Sequence, residues 1–364
     1  MHKTAAWPLA AMYAVLVVYA SLYPFADWRD QGIVPWEFLW APLSHYWTGF
    51  DVAINVAGYV PLGGLLALGL TRGSRSLHPV YKAWALAALL SFCMEAAQSY
   101  LPSRVPSRED FLLNMAGSWL GAVSTLVLER LGAINRWSVI RGRWFVEPSR
   151  GGMVLLATWP LALLFPAPVP FGLGQVLERL MGALSEQMED SALANWLPAG
   201  APSLQPLVPA SEMVCVALGL VIPCLVGFCV VRRPARRVAL VALVVLAGTA
   251  ATSLSAALTW GPSHAWAWFD APAQAGMGAA VVLALAMSVL PWRVAAGLVL
   301  LALGVYLSLL NQAPESPYFA QTLQQWEQGR FIRFNGLSQW LGWLWPYAAS
   351  VYVFGQIGRR ESKN

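Results

Sequence analysis

Apolar runs of about 20 residues, long enough to cross a bilayer, recur along almost the whole of this 364-residue chain. Because the bilayer core holds no water to satisfy backbone polar groups, such runs are expected to be helices rather than strands. The composition agrees, since 58% of the residues are hydrophobic and only 11% are charged, whereas soluble domains carry about 25% charged residues. The predicted fold class is therefore all-α, a polytopic membrane helix bundle.

Ten of these runs are predicted to span the membrane. They are residues 5–24, 51–70, 82–101, 110–129, 152–171, 212–231, 238–258, 272–290, 293–311 and 338–356. The first run follows Lys3 but lacks a small-residue cleavage site, so we expect a retained helix rather than a signal peptide. Prolines interrupt the fifth run at positions 160, 166, 168 and 170.

The charges of the loops predict that both termini are cytoplasmic. In that orientation, 17 of the 23 lysines and arginines fall on the cytoplasmic side, including the four arginines of the turn 232–237. Lysine and arginine are favoured in cytoplasmic loops. This bias accounts for the net charge of +5, so we expect membrane lipids as partners and no nucleic acid. The oligomeric state stays open.

No residue pattern indicates a metal or cofactor site. The four cysteines lie in apolar runs without a C-x-x-C pair, so we expect them to be packing residues. The four histidines are scattered, with no two at the spacing of metal ligands. The chain also lacks a glycine-rich phosphate loop. We therefore expect no metal and no cofactor.

Polar residues concentrate near the predicted outer ends of the second, third and fourth spans. Asp51 and Asn55 are four residues apart, and Glu95 and Gln98 are three apart, so each pair shares a helix face. Glu95 is expected about 7–8 Å below the outer end of its helix, at 1.5 Å per residue. A carboxylate at such a depth normally faces a protein interior or a wet cavity.

The loop after the third span enters the fourth span through a helix-capping sequence. Ser107 and Asp110 have the spacing of a capping box, and capping could equally explain Asp51. Asn114, one turn deeper, is not explained by a cap. We predict an outward-open polar pocket between the three spans. Its lining would be Asp51, Asn55, Glu95, Gln98, Arg104, Asp110 and Asn114. Alternatively, Glu95 pairs with Arg104 only to fix helix packing.

Small residues in the same spans favour close helix packing. Gly117 and Gly121 form a G-x-x-x-G pattern, which lets a second helix approach closely. Pro61, Gly63 and Gly64 in the second span are expected to supply the matching kinked or smooth surface.

The ordered set of residues across these spans resembles the VanZ-like family, which is named for a protein linked to low-level resistance to the glycopeptide teicoplanin. The residues that carry the resemblance are Asp51, Asn55, Pro61, Leu62, Gly63, Glu95, Gln98, Arg104, Ser107, Asp110, Asn114, Gly117 and Gly121. They cover about residues 10–130. Ile54 stands near the position where many members have a histidine, so no role for that histidine carries over.

The predicted spans divide the chain into three segments, of which only the first is covered by the resemblance. Residues 1–130 would form a VanZ-like four-helix membrane domain, residues 131–150 a basic cytoplasmic linker, and residues 151–364 a six-helix membrane domain of unknown role. The protein would be a multi-pass component of the bacterial inner membrane and cell envelope that affects sensitivity to glycopeptide antibiotics.

Three functions remain open at this stage. Non-catalytic binding of an anionic lipid-linked precursor or headgroup is favoured, because arginine can hold a phosphate with two parallel hydrogen bonds. A membrane hydrolase or transferase acting on a lipid-linked phosphate or sugar would use Glu95 as general acid or base. A transporter or flippase would also explain buried acids, although such sites usually lie at the membrane midplane.

Overall fold

The computed structural model describes residues 6–361, except 23–24, 26, 43–48, 72–76, 148, 178–179, 182–205 and 314–331. Within these residues the chain is helical, with a single isolated bridge between Phe145 and Val231 in place of any strand. The eleven α-helices of the described residues are α1 (Ala6–Leu22), α2 (Gly49–Leu70), α3 (His78–Gln98), α4 (Arg108–Arg130), α5 (Ala133–Trp144), α6 (Arg150–Ala162), α7 (Pro209–Phe228), α8 (Pro234–Trp260), α9 (Ala271–Met287), α10 (Trp292–Leu310) and α11 (Ile332–Glu361).

Five helices of the described part are long and apolar enough to cross a membrane, judged by length and composition: α3, α4, α7, α8 and α10. Shorter apolar helices cover Ala6–Leu22, Asn55–Leu70 and Ala271–Met287. The expected all-helical membrane class is thereby confirmed. The count of ten spans and the cytoplasmic placement of both termini stay predictions.

The fifth predicted span, 152–171, is helical only in its first half. Helix α6 ends at Ala162 after 13 residues, which is about 20 Å at 1.5 Å per residue. Residues 163–176 then run as irregular chain. The reason lies in the prolines at 166, 168 and 170, because proline offers no backbone N–H and its ring clashes with the preceding helical turn.

The chain divides into two compact units, residues 1–140 and residues 141–364. In the first unit, α2 packs along α4, α3 packs on both, and α1 lies against α2 and α3. In the second unit, α7 contacts α6, α8, α9 and α10. Every residue from 215 to 228 except Leu218 is buried, so α7 forms the core around which the second unit is built.

Glycines allow α2 and α4 to meet backbone to backbone. A methyl group added at any of three glycines would collide with a main-chain carbonyl of the facing helix. The colliding pairs are Gly63 with Ser118, Gly117 with Val56, and Gly121 with Val60. Pro61 lies inside α2 at an exposed position. The contact fixes the relative position of the polar residues that α2 and α4 carry near their ends.

Arg237, one of the four arginines in the turn 232–237, is buried rather than solvated, with 7% of its surface exposed. Its guanidinium donates to the carbonyls of Phe228 at 2.8 Å, Ser288 at 3.0 Å and Leu290 at 2.6 Å, and Nε donates to Val231 at 3.2 Å. The carbonyl of Phe228 belongs to the last turn of α7, and the other three follow the ends of α7 and α9. Carbonyls at a helix end have no partners inside their own helix. Arg237 therefore joins two helix ends from the first turn of α8.

Candidate functional site

The loop between α3 and α4 is fastened to α3 by Glu95. This side chain is 3% exposed, and its Oε2 accepts the backbone N–H of Ser107 at 2.8 Å. Ser107 is the N-cap of α4, where its Oγ accepts the N–H of Asp110 at 3.2 Å. In a complete capping box the acid three residues after the cap would bind the N–H of the cap residue. Here Glu95, from the preceding helix, occupies that position.

Asp110 instead reaches across to α2. Its Oδ1 accepts a hydrogen bond from Nδ2 of Asn55 at 2.7 Å. A hydrogen bond to a carboxylate is shorter and stronger than one between neutral groups. The Asn55–Asp110 and Glu95–Ser107 bonds thus join α2, α3 and α4 at one end of the first unit. We call the predicted residues at this end, Asn55, Glu95, Arg104, Asp110 and Asn114, the polar cluster.

Asn114 forms the deepest level of the polar cluster. It is 6% exposed, and its Nδ2 donates to Ser91 Oγ of α3 at 3.0 Å. Among the described residues its Oδ1 is buried without a hydrogen-bond partner. Tyr59 lies in the same layer, because Ser91 and Glu95 are both among its side-chain neighbours. Its spacing of four residues from Asn55, which places both on one face of α2, is the sequence signal that could have identified it.

Gln98 serves a different contact from the one expected. It is 5% exposed, and its Nε2 donates to the carbonyl of Ser21 at 3.1 Å. Ser21 lies in the last turn of α1, whose carbonyls have no partners within that helix. Gln98 therefore connects α3 to α1.

Arg104 and Asp51 complete the predicted set. Arg104 is half-buried within the loop, and its backbone N–H donates to Leu101 at 2.9 Å. The neighbouring Arg108 begins α4 and is exposed. Asp51 belongs to α2 by its backbone, but its side chain lies outside the described residues.

The polar cluster is closed at its deepest level. Glu95 and Asn114 are 3% and 6% exposed, and Gln98, outside the cluster, is 5% exposed, so these three predicted residues are buried. In the part of the chain that the structure describes, no group of three His, Cys, Asp or Glu side chains could hold a metal ion. The buried network therefore positions the loop, and the loop residues are the part of the site that a ligand can contact.

A segment that sequence reasoning passed over, residues 27–42, covers the same end of the unit. The Arg29 N–H donates to the carbonyl of Tyr100 at 3.0 Å, and Gln31 Nε2 donates to that of Ser99 at 2.8 Å. We call residues 27–42 the cover segment. Its contacts with the carboxyl end of α3 explain why an irregular stretch rich in tryptophan is ordered here.

An aromatic contact also anchors the cover segment. The ring of Phe38, 4% exposed, lies 5.8 Å from that of Phe92 in α3 and 5.9 Å from that of Phe111 in α4, centroid to centroid. Three tryptophans of the same segment remain largely exposed. They are Trp28 (47%), Trp36 (54%) and Trp40 (73%). Exposed tryptophan is typical of the boundary between membrane and water. In the sequence, a phenylalanine between tryptophans, as at Phe38, is the pattern that could have identified the cover segment.

Residues 6–129 match the family model described as VanZ/LLP1. This range holds the polar cluster, the cover segment and α1 to α4, except for Arg130 at the end of α4. No curated protein and no solved structure matches the chain. Residues 141–364, the second compact unit, lie outside the matched range. The apolar helices and this match together support a membrane protein, and residues 6–129, which are similar to that family, are called the VanZ-like domain below.

Proposed function

We propose that the VanZ-like domain binds the anionic headgroup of a lipid or of a lipid-linked cell-envelope precursor, at the outer face of the bacterial cytoplasmic membrane. The observation that carries this proposal is a shared location. The loop with Arg104 and Arg108 lies at the same end of the domain as the exposed tryptophans of the cover segment. Tryptophan favours the headgroup level of the bilayer, and arginine suits a phosphate in geometry and charge.

The polar cluster has a positioning role in this proposal. The bond from Ser107 to Glu95 holds the loop against α3, and the bond from Asn55 to Asp110 holds the start of α4 against α2. A loop that is ordered before binding loses less conformational entropy when the ligand arrives. Burial of the Glu95 carboxylate and its bond to Ser107 favour this role over general acid–base catalysis.

The test is native mass spectrometry of the full chain, extracted in mild detergent and equilibrated with equal amounts of phosphatidylglycerol and phosphatidylcholine. We expect the wild type to retain phosphatidylglycerol preferentially. The double variant R104A/R108A should lose that preference by about tenfold or more, because a hydrogen bond to a charged group contributes about 1.5–3 kcal/mol. Lys82→Ala is the matched control, since it removes an exposed cation near the opposite end of α3.

Equal retention of phosphatidylglycerol by the wild type and R104A/R108A would refute lipid-headgroup binding at this loop. A companion assay measures growth inhibition by teicoplanin in cells that accumulate each variant to the same level. If R104A/R108A loses its lipid preference and also changes the sensitivity of the cells to teicoplanin, the proposal extends to a role in the cell envelope.

A further inference from the structure

The second unit contains a cavity of about 240 Å³. The proposed function does not involve this cavity. The irregular residues 163–172 form one wall. The remaining lining comes from the first turn of α7, the second half of α8 and the segment that leads into α9. The residues with chemistry to offer are Glu212, Thr252, Trp260, Trp268 and Asp270.

The polar lining of this cavity is acidic. Glu212 and Asp270 both line it, and no lysine, arginine or histidine is among the described residues that line it. Asp270 also caps α9, where its Oδ1 accepts the N–H of Ala273 at 3.0 Å. Each acid near a helix N-terminus would be stabilised by the helix dipole alone. That effect does not explain why both acids face one space.

Thr252 supplies an independent observation. Its Oγ1 is buried and has no hydrogen-bond partner among the described residues, although a helical threonine commonly bonds to a carbonyl one turn earlier. A buried polar atom without a partner costs about 1–3 kcal/mol. Thr252 lines the cavity, so rotation of its side chain would bring Oγ1 to the cavity surface, where a ligand that donates a hydrogen bond would remove this cost.

Aromatic rings line the rest of the space. The rings of Phe171 and Trp268 meet edge to face, with centroids 5.5 Å apart. The indole N–H of Trp268 contacts both Ser253 Oγ and the carbonyl of Ala265 at 3.1 Å, so the ring is held in place. Aromatic faces attract organic cations, with the indole ring the strongest of them.

The wall of the cavity is preformed. Phe171 has a φ of +60°, which is unusual for a bulky residue and needs support from its surroundings. Tyr306 supplies that support, since its hydroxyl donates to the carbonyl of Phe171 at 2.7 Å and accepts the N–H of Leu173 at 2.5 Å. A side chain at Gly219 would collide with Phe171, so α7 approaches closely only because position 219 is glycine.

We propose that this cavity binds a small primary organic ammonium ion. Its three N–H donors would meet the carboxylates of Glu212 and Asp270 and the hydroxyl of Thr252, while its carbon chain lies against Trp260 and Trp268. A divalent metal ion such as calcium needs six to eight oxygen ligands, which a cavity walled by prolines and aromatic rings does not supply. This inference concerns the second unit and is independent of lipid binding by the VanZ-like domain.

The test is isothermal titration calorimetry of the full chain in detergent with butylamine, using 1-butanol as an uncharged probe of equal length and calcium chloride as a metal probe. We expect saturable binding of butylamine only. Glu212→Gln and Asp270→Asn should each weaken it about tenfold or more, with asparagine preserving the helix cap. Glu147→Gln, which removes an exposed charge elsewhere in the same unit, should bind as the wild type does.

Thr252→Val adds a readout that does not depend on the acids. Removing a buried hydroxyl without a partner should leave the empty protein as stable as the wild type or more so, while butylamine binds less tightly. The proposal is overturned by any one of three results: no saturable binding of butylamine, equal binding to Glu212→Gln, Asp270→Asn and the wild type, or tighter binding of calcium than of butylamine.

Discussion

The Glu95 carboxylate accepts the backbone N–H of Ser107 at 2.8 Å, although the two residues are 12 positions apart and belong to successive helices. By doing so it takes the partner that Asp110 would have in a capping box. The Asp110 carboxylate accepts from Asn55 of α2 instead. Because Glu95 replaces Asp110 as the acceptor of the Ser107 N–H, the cap of α4 connects three helices instead of staying local to one.

Glu95→Ala should destabilise the chain by about 1–3 kcal/mol, because a partly buried backbone N–H would lose its acceptor. Glu95→Gln keeps an acceptor oxygen at nearly the same place and should cost distinctly less. Reversible unfolding of the full chain in mixed micelles of mild detergent and SDS measures both changes. Equal losses in the two variants would show that the charge of Glu95, and not its hydrogen bond, is what stabilises the loop.

The Asn55–Asp110 bond should appear as a coupling energy between α2 and α4. In a double-mutant cycle with Asn55→Ala and Asp110→Ala, we expect a coupling of about 0.6–1.7 kcal/mol, from the average to the maximum that such cycles give for hydrogen bonds between membrane helices. The same cycle run with Asn55→Ala and Thr125→Ala is the control, because Thr125 bonds to the carbonyl of Gly64, further along α2. Additive losses in the first cycle would contradict the contact.

Gly121→Ala should destabilise the VanZ-like domain by about 1–3 kcal/mol, the usual cost of overpacking. Its new methyl group would meet the main-chain carbonyl of Val60, which cannot rotate away as a side chain could. Gly58→Ala is the matched control, since a methyl group there meets no atom within 4 Å. Unfolding curves of the two variants compare them directly, and an equal tolerance of both would refute the close contact of α2 with α4.

Arg237→Lys should cost about 1–3 kcal/mol despite keeping the positive charge. Lysine cannot reproduce the planar fork of donors, so at least one of the carbonyls at the ends of α7 and α9 loses its partner. Arg233→Lys, at an exposed position four residues earlier, should change the free energy of unfolding by less than about 0.5 kcal/mol. If Arg237→Lys changed the free energy of unfolding as little as Arg233→Lys does, the hydrogen bonds of the buried guanidinium would not stabilise the junction of α7 and α9.

Much of the helical architecture follows from local patterns. Each of the ten apolar runs overlaps a helix of the structure, because an uninterrupted apolar stretch in a membrane must satisfy its own backbone. The largest departure is the run 152–171, whose helix α6 stops at Ala162. The prolines responsible were visible in the sequence, but the close packing of residues 163–172 against α7 and α8 was not.

The helical residues of the polar cluster were also identifiable from spacing, since positions three or four apart share a helix face. Their partners were not. Spacing groups Gln98 with Glu95, whereas Gln98 bonds to Ser21 of α1. The cover segment was missed for the same reason, because Phe38 reaches Phe92 and Phe111 only after α3 and α4 have packed.

The sequence by itself determined that this is an apolar, helical membrane protein with a VanZ-like first third, since hydrophobicity, capping and glycine spacing act over one or two helical turns. Only the tertiary structure decided that Glu95 binds Ser107, that Arg237 is buried against the carbonyls of two helix ends, and that Glu212 and Asp270 line one cavity. The physical reason is that a buried polar group must find a partner, and several candidates lie within reach along the chain. Packing decides which of them comes within about 3 Å, the length of a hydrogen bond.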